Sequence, residues 1–244
     1  MNELTLLLSL LLGLTSGFIG GIATGAGMLA IPGLMFMGLP PVAAIATTSL
    51  VGFSTVSSGL KFHRAKIIES RRALPFMFIG IAGNALGASL LPHINNQLMQ
   101  KAFGAACLIL AIVIARNRTA TTRPRTKRRD ALAYIMAFIA SVLVAIIGTG
   151  GGIFSLYIFT YFYGMTILQA NAISKIAAVG GVAASILVLT HAGLINYHIG
   201  IPLALGSTVG GYLGAHTAIK KGDARVKSVF LVIIIVSGIK LLLS

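Results

Sequence analysis

The chain has 244 residues, of which 57% are hydrophobic and 9% are charged, and its mean hydropathy is +0.96. A soluble domain carries about 25% charged residues, so this composition excludes an ordinary soluble protein and indicates an integral membrane protein with many spans. The net charge is +15, but the bases are grouped in short loops between apolar segments. Because the positive-inside rule describes this distribution, no nucleic-acid partner is expected.

The first predicted element is an apolar stretch, 4–38, which is too long for one ordinary span. The motif Thr24-Gly25-Ala26-Gly27 interrupts it near its middle. A second stretch, 131–163, is interrupted by Thr149-Gly150-Gly151-Gly152, about 125 residues further along. Each stretch predicts a helix, a glycine tip and a shorter returning helix. Apolar segments of ordinary span length follow in two sets of three: 42–60, 73–91 and 97–115, then 168–190, 198–219 and 226–243.

The repeated order of these elements predicts an internal duplication. If both broken stretches are hairpins without a net crossing, each half has three crossings, and an odd number inverts the second half relative to the first. We therefore predict an all-α polytopic membrane protein with two inverted repeats, each a glycine-broken helical hairpin plus three transmembrane helices. The repeats are 1–115 and 131–244, joined by a basic linker, 116–130. If each broken stretch instead crossed the bilayer once, there would be eight crossings.

The positive charge predicts the orientation of the chain. Nearly all of the 19 basic residues fall within 61–72, 116–130 and 220–227. In the inverted-repeat topology all three basic loops share one face, which the positive-inside rule makes cytoplasmic, and both termini lie outside. We expect the loops to contact anionic lipid. The four acidic residues lie at the start of the chain or beside these basic loops, and none lies inside an apolar span: Glu3, Glu69, Asp130 and Asp223.

The shortage of acids also bears on function. Proton-driven and cation-driven carriers commonly keep a carboxylate within the membrane, and this sequence predicts none there. The charge distribution therefore favours an anionic substrate. A single cysteine, Cys107, excludes an intrachain disulfide and a cysteine metal cluster, and no metal or other cofactor is expected.

The two glycine motifs are the first candidate binding residues, Thr24, Gly25, Ala26 and Gly27 with Thr149, Gly150, Gly151 and Gly152. After each motif the sequence predicts a helix start, where unpaired N–H groups and the positive end of the helix dipole face the tip. Glycine lets an anion approach the backbone closely. The alternative is that these small residues only allow close helix packing, the role we expect for the Gly80/Gly83/Gly87 and Gly206/Gly210/Gly214 spacings.

Lys175 is the formally charged residue that lies well inside a predicted span. A buried lysine is costly unless it is paired, and no acid is predicted nearby, so a substrate anion is its expected partner. The alternative is a neutral lysine held by carbonyl groups. Neighbouring polar side chains could donate hydrogen bonds to substrate oxygens or join helices to each other: Thr48, Ser49, Asn171 and Ser174.

A hydrophobic duplication, a Gly-x-Gly-Gly-type break in each half and an Ala-x-Ala-Thr-Ser-like stretch after it together resemble the TauE/SafE sulfite-exporter family. The similarity covers nearly the whole chain. It implies transport of small sulfur-containing anions, such as sulfite, sulfoacetate and related organosulfonates, across the bacterial inner membrane. Export as the direction of transport follows from the family name alone.

The sequence thus favours a secondary transporter that works by alternating access around a site at mid-membrane depth. A passive small-anion channel, or a carrier of another small carboxylate or oxyanion, remains open as an alternative. A membrane enzyme is disfavoured, because the sequence has no pair of carboxylates within the spans, no zinc motif and no nucleophile with a matched base. The sequence does not fix the coupling ion or the oligomeric state.

Overall fold

The structure is a computed structural model, and it describes residues 3–23, 25–67, 73–98, 101, 127–148 and 151–221. Within these ranges the chain is helical and has no β-strand. The α-helices are α1 Glu3–Ala23, α2 Gly27–Phe36, α3 Pro41–Thr48, α4 Phe53–Arg64, α5 Leu74–Leu90, α6 Lys127–Ile147, α7 Gly151–Tyr163, α8 Ile167–His191 and α9 Tyr197–Lys221.

Five helical segments of the described chain are long and apolar enough to cross a membrane, with windows at Glu3–Ile22, Pro41–Arg64, Leu74–His93, Asp130–Ile147 and Leu168–His191. The all-α, multi-pass part of the predicted fold is therefore confirmed. The predicted span 226–243 and nearly all of 97–115 lie outside the described residues, and the inverted arrangement of the halves stays a prediction.

Both long apolar stretches are broken at the positions that the sequence indicated. In the first, α1 ends at Ala23 and α2 begins at Gly27. In the second, α6 ends at Ile147 and α7 begins at Gly151. Each break contains a glycine in the left-handed region, Gly25 with φ 99° and Gly148 with φ 99°. A side chain at φ near +100° would be strained, so these two glycines allow the chain to leave one helix and start the next.

The predicted span 42–60 is not one regular α-helix. The chain runs from α3 through a 3₁₀ turn, Ser49–Gly52, into α4. Its counterpart in the second half, α8, is continuous over 25 residues and begins with a capping box in which Thr166 and Gln169 hydrogen-bond to each other's backbone N–H groups. A 3₁₀ segment within a long helix often marks a hinge or a functional site.

The strongest helix contact joins the two halves through α1 and α9. Glycines on both helices bring their backbones together: a Cβ on Gly17 would overlap Ser207, and a Cβ on Gly210 would overlap the carbonyl oxygen of Leu14. Helices in a bilayer gain little from burying apolar side chains against each other, so close backbone packing through small residues takes that role. The packing role expected for the Gly206/Gly210/Gly214 spacing is confirmed.

The helix contacts are matched between the halves. In each half, the first helix packs on a helix of the other half. Helix α1 packs on α9, which follows α8, and α6 packs on α5, which follows α4. The pairs α4–α9 and α8–α5 are related in the same way, and α4 packs on α8. Exchanging the two halves therefore maps these contacts onto themselves, and α3, α4 and α8 lie at the junction between the halves.

Gly210→Ala tests the α1–α9 contact. The added methyl group meets the Leu14 carbonyl, so we expect a loss of stability of about 1–3 kcal/mol and a lower melting temperature in detergent. Val209→Ala is the matched control, because Val209 is 54% exposed on the same turn and should change little. An unchanged melting temperature for Gly210→Ala would contradict this packing.

A candidate anion-binding cavity between the two breaks

A cavity of about 170 Å³ lies between the two halves. The first break, the segment from α3 to α4, and α5 form one part of its wall, and α6, the second break, α7 and α8 form the rest. Sites for drug-sized ligands have volumes of about 300–1,000 Å³. This cavity is smaller, so it fits a ligand of only a few heavy atoms.

Lys175 on α8 lines this cavity and is 5% exposed. The backbone at Gly59 on α4 packs closely against it, since a Cβ on Gly59 would lie 3.7 Å from the Lys175 Cβ. Among the described residues, none is placed to form an ion pair or hydrogen bond with the Lys175 ammonium group. A buried charge without a partner is costly, and a bound anion is a partner that would remove this cost.

Polar side chains from several helices share the cavity wall with Lys175. Four of the hydroxyl groups donate to carbonyls three or four residues earlier in the chain: Thr48 to Ala44 at 2.7 Å, Ser49 to Ala46 at 2.6 Å, Ser141 to Ala137 at 2.7 Å and Ser174 to Asn171 at 2.9 Å. A hydroxyl group has one proton, so each of these groups must rotate away from its helix before it can donate to an anion.

Ser54 differs from these residues. It lines the cavity, is 1% exposed, and its Oγ has no hydrogen-bond partner. A buried hydroxyl without a partner costs about 1–3 kcal/mol. Ser54 lies directly after the 3₁₀ turn, and its proton is available to a ligand without breaking an existing bond.

The two breaks meet beside the cavity. Gly25 and Ala26 of the first break and Gly148 of the second line its wall, and Gly148 lies against Ile31 of α2 and Ile45 of α3. At the start of α2, the amides of Met28 and Leu29 donate to the carbonyls of Gly25 and Ala26 at 3.0 and 3.3 Å. These two hydrogen bonds occupy N–H groups that, from the sequence, we expected to be free to bind an anion.

Aromatic side chains form one part of the wall. Phe76 of α5 and Phe159 of α7 line the cavity and contact each other edge to face, with ring centroids 4.7 Å apart. Tyr134 and Tyr163 pack on Phe76 at 5.2 and 5.8 Å. This cluster joins three helices from both halves, and it gives the cavity an apolar wall besides its cationic and hydroxyl groups.

The structure brings six of the predicted site residues to the cavity wall: Gly25, Ala26, Thr48, Ser49, Ser174 and Lys175. Three others lie outside the described residues: Thr24, Thr149 and Gly150. Gly27 begins α2 and does not line the cavity, and Gly151 and Gly152 begin α7. Asn171 is also absent from the wall, because its Nδ2 donates to the carbonyl of Ile22 at the end of α1, at 2.8 Å.

Sequence reasoning missed several polar residues of the wall. They are serines and threonines within helices, where they are usually assigned to local hydrogen bonds: Ser54, Thr55, Ser141, Ser155 and Ser185. Thr55 follows Thr48 by seven residues, which is two turns of a helix, and this spacing was the available signal. Gly148 was also missed, because it precedes the second glycine motif and aligns with Ala23 in the first half.

An all-helical bundle with several membrane-spanning segments and a polar cavity between two broken helices defines a multi-pass membrane transporter. The sequence profile of the family described as "Sulfite exporter TauE/SafE" matches residues 9–241. Since this match covers nearly the whole chain, the protein belongs to the TauE/SafE family, and the resemblance drawn from the glycine motifs is confirmed.

Curated relatives agree with this assignment. The chain is 24% identical to a probable membrane transporter protein, ORF9, of Sinorhizobium, over 93% of this chain and 88% of the relative. It is 23% identical to the probable membrane transporter protein YfcA of Escherichia coli K12, over 99% and 93% of the two chains. A probable membrane transporter protein of Haemophilus influenzae is 26% identical over 88% and 86%. No solved structure matches the chain.

Lys175→Met tests whether the buried ammonium group lacks a partner. An unpaired buried charge costs several kcal/mol, so its removal should raise the melting temperature of the anion-free protein in detergent, by at least about 2 °C. Lys61→Met is the control, since the Lys61 ammonium group already has a partner, the Tyr212 hydroxyl at 3.2 Å, so its removal should not raise the melting temperature. A lower melting temperature for Lys175→Met would show that the ammonium group is already stabilised.

Proposed function

We propose that the protein is a secondary transporter of small sulfur-containing anions, such as sulfite, sulfoacetate or a related organosulfonate, and that Lys175 is the principal anion-binding group. The supporting observation is the burial of Lys175 beside the cavity without a partner among the described residues. The family description supports the substrate class. Inner-membrane location, cytoplasmic basic loops and export belong to the same proposal.

The cavity supplies three kinds of contact for such an anion. The Lys175 ammonium group provides the charge, and the hydroxyl of Ser54 provides a donor that needs no rearrangement. Phe76 and Phe159 provide an apolar surface, against which the carbon chain of an organosulfonate can pack. Thr48, Ser49 and Ser174 are further donors once their hydroxyl groups rotate from the helix carbonyls to the anion.

The matched helix contacts support an alternating-access mechanism. The cavity lies where the halves meet, so a movement of one half against the other would open it to one side and close it to the other. The short helices α2 and α7 are suited to such movement, since each is separated from its preceding helix by a glycine break. Anion binding between Lys175 and the first break would hold the two halves together during the change.

A passive anion channel could use the same residues, but a binding site between two half-helices that begin at glycine breaks suits a carrier better. Counterflow separates the two mechanisms. If the protein is a carrier, proteoliposomes preloaded with unlabelled anion take up labelled anion faster than empty ones. The rate of uptake also saturates as the anion concentration rises. A channel shows neither property, and such a result would remove the alternating-access part of the proposal.

Flux of labelled sulfite, sulfoacetate and sulfate into proteoliposomes tests the substrate and the binding group together. We expect saturable flux of sulfite or sulfoacetate, a loss of at least about tenfold in Lys175→Ala, and partial recovery in Lys175→Arg, which restores the charge with a different geometry. Lys61→Ala, which removes a lysine outside the cavity, should retain flux.

Each other outcome has a defined meaning. Saturable flux that survives Lys175→Ala would transfer recognition to the glycine tips and the hydroxyl groups. Absence of flux for all three anions, from protein that remains folded and monodisperse, would contradict the proposed substrate class.

A further inference from the structure

Asn171 presents a feature that anion binding does not explain. The residue lies on α8, is 2% exposed, and its Nδ2 donates to the Ile22 carbonyl at 2.8 Å. Its Oδ1 is buried and has no hydrogen-bond partner. Because a carbonyl can only accept, the amide group must turn its nitrogen towards Ile22, and its oxygen is the atom left over.

The amide group that carries this oxygen lies beside the C-terminal end of α1, where its nitrogen contacts Ile22. The helix stops at Ala23 and has no basic residue in its last turn. The last four carbonyl groups of a helix lack partners within the helix, and they form the negative end of its dipole. One amide proton from Asn171 reaches this end. The oxygen of the same amide is a further acceptor, and it has no hydrogen-bond partner.

From this cluster of acceptors we infer a binding site for a small monovalent cation such as Na⁺, with Asn171 Oδ1 and the terminal carbonyls of α1 as ligands. Neutral carbonyl and amide oxygens suit a hard cation, and the C-terminal ends of broken helices hold Na⁺ in other carriers. A divalent metal fits poorly, since the described residues contain no cluster of three or more His, Cys, Asp or Glu side chains.

The position of this site relative to Lys175 predicts how the two would interact. Asn171 and Lys175 are four residues apart on α8, which places them on one face and about 6 Å apart along the axis. A cation at Asn171 and the Lys175 ammonium group repel each other when the cavity holds no anion. An anion in the cavity beside Lys175 is attracted by both charges, so each ligand should strengthen the binding of the other.

This coupling rests on the proposed anion function, whereas the cation site itself does not. The coupling also explains how a transporter without a predicted carboxylate in its spans could use a cation gradient. The ligands are neutral oxygens at a helix end, and the bound anion supplies the negative charge that a carboxylate supplies elsewhere.

Thermal unfolding of the detergent-purified protein tests the inference. The melting temperature is measured against sulfite concentration in sodium chloride and in choline chloride at equal ionic strength, with sulfite added as a salt of an organic cation. We expect the half-maximal sulfite concentration to be at least about fivefold lower in sodium. Sodium without sulfite should give a smaller rise in melting temperature than sodium with sulfite.

Variants assign the effect to Asn171. Asn171→Leu should remove the difference between sodium and choline while sulfite still stabilises the protein. Asn171→Asp keeps an oxygen ligand and adds a charge that attracts a cation, so it should retain or enlarge the difference in protein that stays folded and monodisperse. Asn84→Ala is the matched control: the Asn84 amide is satisfied by Gly80 and Ser185, so the variant should keep the sodium dependence whatever its effect on anion affinity.

The outcomes separate the two proposals. Equal sulfite curves in sodium and choline, or a sodium effect that survives Asn171→Leu, would overturn the cation site and leave the anion function standing. If sulfite has no effect in either salt, the proposed function fails at this step. The cation site is then judged by the sodium–choline difference without anion, which Asn171→Leu must remove if the site exists.

Discussion

The central constraint of this structure is Lys175, a lysine buried at the junction of the two halves, to which no acid in the described part of the chain is paired. Bilayer interiors and protein interiors both penalise such a charge, and the described residues supply no counter-charge to offset this cost. Instead, the described helices place a small cavity, hydroxyl groups and a helix break beside it. This arrangement lowers the stability of the empty protein and favours the complex with an anion. Such a loss of stability is expected at a binding site.

Glycine makes this arrangement possible in two different ways. At Gly25 and Gly148 it permits the backbone to leave the helical path inside the bundle, where an ordinary residue would be strained. On α1 and α9 it lets two helix backbones approach closely, which joins the first and last described helices. The same residue type therefore both breaks the helices that form the cavity and holds together the bundle that surrounds it.

The comparison of sequence and structure is instructive at Asn171. Its position near Lys175 made it a candidate donor to the substrate, yet its amide group binds the end of α1 and leaves an oxygen unpaired. Helical spacing indicates which residues share a face of α8, but it does not indicate which partner lies opposite. That partner, Ile22, is separated from Asn171 by 149 residues, so its approach depends on the packing of the two halves.

Composition, the apolar segments and the two glycine motifs were sufficient to predict a helical membrane protein with two broken apolar stretches, because bilayer thickness and the need to satisfy backbone hydrogen bonds restrict membrane chains to few solutions. The sequence also identified Lys175, since a lone charge in an apolar span is conspicuous. The tertiary structure decided which hydroxyl groups share its cavity. Ser54 lies there and Asn171 does not, because contacts between helices distant in sequence fix which faces meet.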